Sequence, residues 1–292
     1  MSFNITTFST ALYSTWIMVE ELNLLIDAGD GVSAGLLGKS GKIKHCFITH
    51  PDRDHLTGLP QFVQLNSRGE WPKIYYPKDA GSFPALSHFL GKFDPHVQGV
   101  TWQGIADSEQ IEIKKNIWVQ ALRNEHVAAP VGVHKSLSYK VFEVKRKLKP
   151  ELQGLPQAEF KTLAAKHGQE FLTTEQRINR ISFSGDTPVD DYAKWDGSEI
   201  LIHEATFLHS EADGHIEARG NRHSYLEDVI RMASEINLQT LILTHFSSRY
   251  DREQIDEALR KLLNKYALTI PIHVIYPGET KRDVLKMEPF NA

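Results

Sequence analysis

The residues of this chain best suited to chemistry form the short run Thr49-His50-Pro51-Asp52-Arg53-Asp54-His55. Two imidazoles and two carboxylates fall within six positions, directly after the apolar run His45-Cys46-Phe47-Ile48, which predicts a buried strand. Imidazole and carboxylate ligands together suit zinc, manganese or iron, whereas calcium and magnesium prefer oxygen ligands alone. The run therefore predicts a metal centre, with enough ligands to hold two ions.

Four other apolar runs also stop at residues that could bind metal, namely Asp27, Asp186, Glu204 and His245. One such residue is more often structural, because these side chains commonly bond the backbone of a turn. Together with the dense run at 50–55, they predict a site shared among strand ends. A set of His and carboxylate ligands leaves coordination positions for water, as a hydrolytic site requires.

The elements that must position these residues mix strands and helices in both halves, which favours a layered sandwich over a helical bundle or an all-β barrel. Strands are predicted at 14–19, 23–27, 45–49, 73–77, 181–184, 199–203, 240–244 and 269–276, and helices at 57–65, 81–93, 225–236 and 252–265. Residues 145–178 differ in composition and predict a surface arm or inserted subdomain. Its basic start, Lys145-Arg146-Lys147, fits contact with phosphates, and a solvated pair of surface helices is the alternative.

Bulk composition fits a soluble globular protein: the 292 residues are 41% hydrophobic and 24% charged. The net charge of −4 argues against a globally basic nucleic-acid binder, and the single cysteine, Cys46, excludes an internal disulfide and a Cys-rich zinc finger. Neither a signal peptide nor a membrane-spanning run is recognisable. We therefore expect a cytoplasmic protein without a membrane partner.

The ordered blocks of this sequence resemble a known family. Thr49-His50 followed by Asp54-His55 after a strand is similar to the signature of the metallo-β-lactamase superfamily. More specific are the blocks that resemble its ribonuclease Z branch: 25–31 (LIDAGDG), 183–187 (FSGDT), 202–207 (IHEATF), 222–224 (RHS) and 243–250 (LTHFSSRY). They occur in the order of that family and cover most of the chain. The resemblance implies an α+β fold, the four-layer αβ/βα sandwich, with residues 1–292 as a single metallo-hydrolase domain and the arm at 145–178.

Carried over residue by residue, the resemblance implies two divalent metal ions. His50 and His126 would bind the first ion and Asp54, His55 and His245 the second, with Asp186 shared by both ions; Asp52 is a further candidate ligand for the first ion. Asp54 would also orient or deprotonate the attacking hydroxide, and Glu204 with His223 would protonate the leaving oxygen. Two ions roughly 3.5–4 Å apart can clamp the attacking and leaving oxygens of an in-line displacement.

Two positions depart from the family pattern. The family has His where this chain has Asp52, so either Asp52 is a ligand that favours manganese or iron over zinc, or it bonds neighbouring groups and leaves the first metal position weak. The mid-chain ligand is also ambiguous. His126 follows the Glu-His pattern of the family, and His134 lies just before the Ser-x-x-Tyr region that normally follows that pair.

The resulting hypothesis is a dinuclear phosphodiesterase of ribonuclease Z type, with zinc or manganese as the metals and iron as an alternative. RNA, in particular the 3′ end of precursor tRNA, would be its substrate, and the family implies a homodimer. One alternative keeps the chemistry and changes the substrate to a cyclic nucleotide or another small phosphodiester. A di-iron oxidoreductase and a degenerate binding protein are alternatives from other classes.

Overall fold

The computed structural model describes residues 2–94, 97, 99–208 and 222–292, and within these ranges alternating apolar runs form strands and amphipathic runs form helices. The strands are β1 (Ile5–Thr10), β2 (Ser14–Val19), β3 (Leu24–Ile26), β4 (His45–Phe47), β5 (Lys73–Pro77), β6 (Thr101–Ile105), β7 (Gln110–Lys114), β8 (Ile117–Arg123), β9 (Leu137–Leu148), β10 (Thr173–Phe183), β11 (Ser198–Glu204), β12 (Leu238–Thr244), β13 (Ile272–Val274) and β14 (Thr280–Lys281). The α-helices are α1 (Val32–Leu36), α2 (Arg53–Leu56), α3 (Leu59–Asn66), α4 (Ser82–Phe93), α5 (Gln157–His167), α6 (Leu226–Glu235) and α7 (Arg252–Tyr266).

The strands form two seven-stranded mixed sheets, in the orders β14-β1-β2-β3-β4-β5-β6 and β13-β12-β11-β10-β9-β8-β7. In the first sheet, β3 to β6 run parallel and the strands towards β14 run antiparallel. In the second sheet, β10 to β13 run parallel and the strands towards β7 run antiparallel. Each sheet thus has a parallel half whose strands all end at one edge.

Three apolar layers hold the sandwich together. Phe47, Tyr139 and Ile202 belong to the layer between the two sheets, where inward-facing residues of both sheets meet. Phe62 belongs to the layer between the first sheet and its helices, and Met232 to the layer between the second sheet and α6 and α7. The resulting order of helix, sheet, sheet and helix confirms the predicted four-layer αβ/βα sandwich.

The parallel halves explain why the candidate ligands meet. Asp27 follows β3, His50 follows β4, Asp186 follows β10, Glu204 ends β11 and His245 follows β12. Because parallel strands end at the same edge of a sheet, each sheet brings its own ligand-type residues together there. The two edges lie side by side across the sandwich, and the side chains of both sheets converge between them.

The segment at 145–178 contains the outer ends of two strands, which the sequence did not predict. β9 and β10 pair antiparallel from Tyr139 and Phe183 outwards to Leu148 and Thr173. The outer part of this hairpin is largely exposed, and α5, which lies between its strands in the chain, has no buried residue. The segment is therefore a strand hairpin that carries one α-helix, and it differs from the alternative of a pair of surface helices.

Two other predictions need correction at the edges of the sheets. β1 was not predicted, and the strand predicted at 269–276 is the shorter β13, from Ile272 to Val274. β14 lies beyond the predicted range and was not predicted; it is a two-residue strand at the edge of the first sheet, too short to leave a pattern in the sequence. Within the described ranges, no helix is long and apolar enough to cross a membrane.

Candidate metal centre

His50 and His55 both turn Nε2 towards the interior of the cluster, because their Nδ1 atoms are held from outside. His55 Nδ1 donates to the Asp27 carboxylate at 2.7 Å. His50 Nδ1 lies 2.9 Å from Thr49 Oγ1, and that hydroxyl donates to Asp27, so it accepts from His50. Both rings are fully buried, and their centroids are 4.1 Å apart. A metal ligand with its other ring nitrogen held by a carboxylate or hydroxyl has this arrangement.

His126 and His245 show the same orientation from the second sheet. His126 Nδ1 donates to the carbonyl oxygen of Arg222 at 2.8 Å. His245 Nδ1 lies 2.9 Å from Thr206 Oγ1, a hydroxyl that donates to Glu204 and so accepts from His245. Four imidazoles, two from each sheet, therefore direct Nε2 to one buried region.

One group of four ligand atoms has the dimensions of a single metal site. His55 Nε2 and His245 Nε2 are 3.4 Å apart, and each lies 3.3 Å from Asp186 Oδ2. Asp54 Oδ2 lies 3.3 Å from His245 Nε2 and 3.6 Å from His55 Nε2. With metal–ligand distances of about 2.1 Å, ligand atoms at tetrahedral angles lie about 3.4 Å apart. The residues therefore fit one divalent cation without rearrangement.

A second group contains His50, Asp52 and His126, whose ligand atoms also lie within 4.8 Å of one another. Asp52 Oδ2 is 3.7 Å from His50 Nε2 and 3.5 Å from His126 Nε2. His50 Nε2 is also 3.7 Å from Asp186 Oδ2, and it is a buried nitrogen without a hydrogen-bond partner among the described residues. The same Asp186 oxygen thus faces both groups, as a ligand shared by two ions would. The lone pair of His50 Nε2 is left available to bind a cation.

The charges of the cluster suit cation binding. Burial would raise the pKa of Asp54, but His55 and His245 beside it hold that pKa at about 2. Burial likewise opposes ionisation of Asp186, yet His245 and His55 keep its pKa well below the usual range. Burial lowers the pKa of His50, so its ring is neutral. Ionised carboxylates and a neutral imidazole are the forms in which these groups bind metal.

Asp27 lies outside the two groups of ligand atoms and braces the loop that carries His50 and His55. Its carboxylate is fully buried, accepts from the backbone nitrogen of Thr49 at 2.7 Å and holds His55 Nδ1. Asp27 and His245 both have left-handed backbones, with φ of 57° and 62°, which is uncommon outside glycine. Strain of this kind concentrates at functional sites, where the surrounding structure holds it in place.

Asp27→Asn is expected to weaken metal binding about 10–100-fold, because an amide holds the His55 ring less firmly than a carboxylate does. Chelator competition, followed by metal analysis, measures the change. Asp30→Asn is the matched control, since Asp30 is an exposed carboxylate three residues further on. Equal metal affinity in both variants would contradict a bracing role for Asp27.

Glu204 and His223 form a pair beside this cluster. His223 Nδ1 lies 3.3 Å from Glu204 Oε1 and 3.8 Å from Asp186 Oδ2. Glu204 is buried, and it accepts a hydrogen bond from the backbone nitrogen of Thr187, which fixes the carboxylate in place. The His223 side chain, in contrast, is 18% exposed. Burial would lower the pKa of His223, but Glu204 and Asp186 raise it to about 9. The pair thus presents a protonated imidazole at the mouth of the site.

The structure brings all of the predicted site residues together and separates the two mid-chain candidates. His126 lies in the cluster, whereas the ring of His134 accepts from the backbone nitrogen of Asp107 at Nδ1, and its backbone nitrogen donates to the Asp79 carboxylate. Sequence reasoning missed Thr49 and Thr206, the hydroxyls that fix the His50 and His245 rings. A threonine within two residues of a His or Glu after a strand is too common for the sequence alone to identify it as a partner of a metal ligand.

This fold is that of a known class of proteins. Residues 22–246 match the family model described as the Beta-lactamase superfamily domain. The short form of human tRNase Z has a similar fold in its crystal structure, with a TM-score of 0.58 and 20% identity, over 85% of this chain and 93% of that one. The fold and the His/Asp cluster define a metal-dependent hydrolase.

Sequence relatives narrow the class. A chloroplastic tRNase Z of Arabidopsis thaliana is 32% identical over 286 residues, which are 93% of this chain and 75% of that protein. The ribonuclease Z of Halalkalibacterium halodurans is 31% identical over 280 residues, 86% of each chain. The chain belongs to the metallo-β-lactamase superfamily and, within it, to the ribonuclease Z family.

Proposed function

We propose that this protein is a dinuclear metal-dependent phosphodiesterase that cleaves RNA, with the 3′ end of precursor tRNA as its substrate. The observation that carries the proposal is the set of four imidazoles whose Nε2 atoms face three carboxylates across the two sheets, in a chain of the ribonuclease Z family. Relatives named ribonuclease Z favour RNA over a cyclic nucleotide, and favour hydrolysis over di-iron redox chemistry or binding without catalysis.

The two groups of ligand atoms divide the roles. Asp54, His55, Asp186 and His245 would hold one divalent cation, and His50, Asp52 and His126 would hold the other, with Asp186 shared. Such ions, when bound, stabilise charge on a phosphodiester and lower the pKa of water. Asp54 Oδ2 and Asp186 Oδ2 each lie 3.3 Å from the His245 Nε2 atom and add negative charge there, which favours divalent cations over monovalent ones.

Glu204 and His223 would act on the leaving group. Glu204 is buried and orients His223 through Nδ1, so the imidazole can carry a proton at the mouth of the site. A ribose oxygen is a poor leaving group as an alkoxide, and protonation by a positioned imidazole makes its departure easier.

Asp52 bears on the identity of the metal. Its carboxylate lies 3.7 Å from His50 Nε2 and 3.5 Å from His126 Nε2, which favours the ligand role. A carboxylate in this position makes the first metal position harder and more anionic, which favours manganese or iron over zinc there. For the pair of ions we propose zinc or manganese, with iron as the alternative.

Asp52→His is expected to shift the preference of the protein towards zinc, because imidazole is a softer ligand than carboxylate. The ratio of zinc to manganese bound from an equimolar mixture measures this preference. Asp30→His controls for the addition of an exposed imidazole elsewhere. A ratio that is equal in the wild type and Asp52→His would show that Asp52 is not a ligand.

We propose that the hairpin at 145–178 contacts the RNA outside the metal centre. It carries seven basic residues against four Glu, in a chain whose net charge is −4. Lys145, Arg146 and Lys147 are exposed on the outer part of β9, where an RNA backbone can reach them. Contacts of this kind strengthen binding regardless of sequence, and they weaken with salt.

Replacement of Lys145, Arg146 and Lys147 by Gln is expected to raise KM for precursor tRNA by about tenfold or more and to reduce its salt dependence. Hydrolysis of bis(p-nitrophenyl) phosphate should be unchanged, because that substrate is too small to reach the hairpin. The control variant replaces Lys39, Lys42 and Lys286 by Gln. These three lysines are also exposed, but they lie outside the hairpin. If both triple variants behave alike, the hairpin is not an RNA contact.

The experiment that tests the function is cleavage of a precursor tRNA with a 3′ trailer by protein purified without chelators. The expected product is a tRNA cut at the junction between the tRNA and its 3′ trailer. A chelator should abolish the formation of this product. Hydrolysis of cyclic nucleotides without trailer cleavage would overturn RNA as the substrate. A homodimer and a cytoplasmic location stay predictions of the family resemblance, and light scattering of the purified protein tests the first.

A further inference from the structure

The turn between β1 and β2 contains a residue that neither packing nor backbone preference explains. Leu12 has a left-handed backbone with φ of 70°, and its side chain is 86% exposed. Exposure of the leucine side chain to water gives no stability, and a bulky side chain is disfavoured at positive φ. Glycine or asparagine would fill this position at lower cost to the fold.

The left-handed turn aims one backbone group at the metal centre. Leu12 N donates to Asp54 Oδ2 at 2.9 Å. That oxygen is the one that lies 3.3 Å from His245 Nε2 and 3.6 Å from His55 Nε2. The hydrogen bond therefore reaches the Asp54 atom that faces the other ligands, and it fixes the direction of the carboxylate.

The end of β1 holds the opposite ligand as well. Ser9 Oγ accepts from the backbone nitrogen of His245 at 3.0 Å, and Ala11 N donates to the carbonyl oxygen of Phe246 at 3.2 Å. The segment from Ser9 to Leu12 thus bonds a ligand that follows β4 of its own sheet and a ligand that follows β12 of the other sheet. It therefore links Asp54 and His245 from outside the cluster, in addition to their direct contact at 3.3 Å.

We propose that Leu12 is a positioning residue for the metal centre and acts through its backbone N–H on Asp54. The left-handed conformation of Leu12 is what directs that N–H, so any residue that holds this conformation will serve and any residue that avoids it will not. The inference rests on the proposed function only through the role of Asp54 as a ligand.

The test compares Leu12→Ile with Leu12→Asn. Isoleucine keeps the apolar side chain but strongly avoids positive φ, whereas asparagine loses the apolar side chain and tolerates positive φ. Leu12→Ile is expected to lower metal affinity, measured by chelator competition, by about tenfold or more, and to lower kcat for bis(p-nitrophenyl) phosphate with little change in KM. Leu12→Asn should stay within about twofold of the wild type in all three quantities. Leu12→Gly, which adopts positive φ freely, should behave as Leu12→Asn does and serves as a second variant if one of the others folds poorly.

Three results would overturn the proposal. If Leu12→Asn raises KM while Leu12→Ile does not, the side chain contacts substrate and the backbone is not the determinant. If both variants lose metal affinity and kcat alike, or if neither loses any, the left-handed conformation has no role. Failure of the wild type to hydrolyse the phosphodiester would count against the proposed function instead, and the metal affinities of the variants would still test the role of Leu12.

Discussion

Replacing His55 with alanine is expected to remove one divalent cation per chain and to lower turnover of phosphodiesters by more than about 10²-fold, beyond the effect of changing a residue that only supports a ligand. His55 is fully buried, and its Nε2 faces His245, Asp54 and Asp186 at 3.3–3.6 Å. Without it, Asp54 and Asp186 lose a neighbouring imidazole that holds their pKa values low, and the cation loses a nitrogen ligand. Metal analysis of protein purified without chelators measures the first effect, and bis(p-nitrophenyl) phosphate measures the second.

His45→Ala is the matched control for this experiment. His45 is also a buried imidazole, but it is the first residue of β4, whereas the metal site follows the last. Its ring contacts Trp71 and Tyr75. The variant His45→Ala should be less stable than the wild type because packing is lost, and the metal content of the folded variant should be unchanged. Equal metal loss in the two variants would mean that the effect is one of folding, and that His55 is not a ligand.

His223→Ala is expected to separate leaving-group chemistry from metal binding. Turnover of RNA should fall about 10²–10⁴-fold, the usual contribution of a positioned general acid, while the metal content stays at the wild-type level. Turnover of bis(p-nitrophenyl) phosphate should fall far less, because p-nitrophenolate is a stable anion that leaves without a proton. Single-turnover assays on both substrates give the comparison.

Glu204→Gln supplies the second part of this test. Glu204 acts on the leaving group only through His223, but it also accepts from the Thr206 hydroxyl that holds His245. At equal metal content, the double variant should therefore be no slower on RNA than His223→Ala alone. Loss of metal in His223→Ala, or an equal loss of activity on both substrates, would contradict the role of an acid and assign His223 to metal binding, which its position beside His126 and Asp186 allows.

Much of the metal centre could be predicted because its residues stand at the ends of apolar runs. A strand that stops at Asp27, Asp186, Glu204 or His245 presents that side chain at the rim of a sheet, and the parallel halves of the two sheets gather those rims. The choice of His126 over His134 followed from the family pattern, and the structure supports it, because His134 bonds Asp107. Local pattern therefore located the residues, although it could not give their distances.

The remainder depends on contacts between residues far apart in the chain. Leu12 bonds a residue 42 positions away, and Thr206 bonds one 39 positions away, so no local spacing records them. The hairpin at 145–178 has a polar composition because both of its strands are exposed, which hid the alternation that normally identifies a strand. β1 escaped prediction because five of its six residues are buried, so Thr and Ser occupy interior positions.

Anomalous scattering from crystals grown with manganese or zinc tests the metal centre most directly. Two peaks per chain are predicted, one among Asp54, His55, Asp186 and His245 and the other among His50, Asp52 and His126, with Asp186 in contact with both. One peak alone would contradict a dinuclear site, and a second peak that lies away from Asp52 would contradict Asp52 as a ligand.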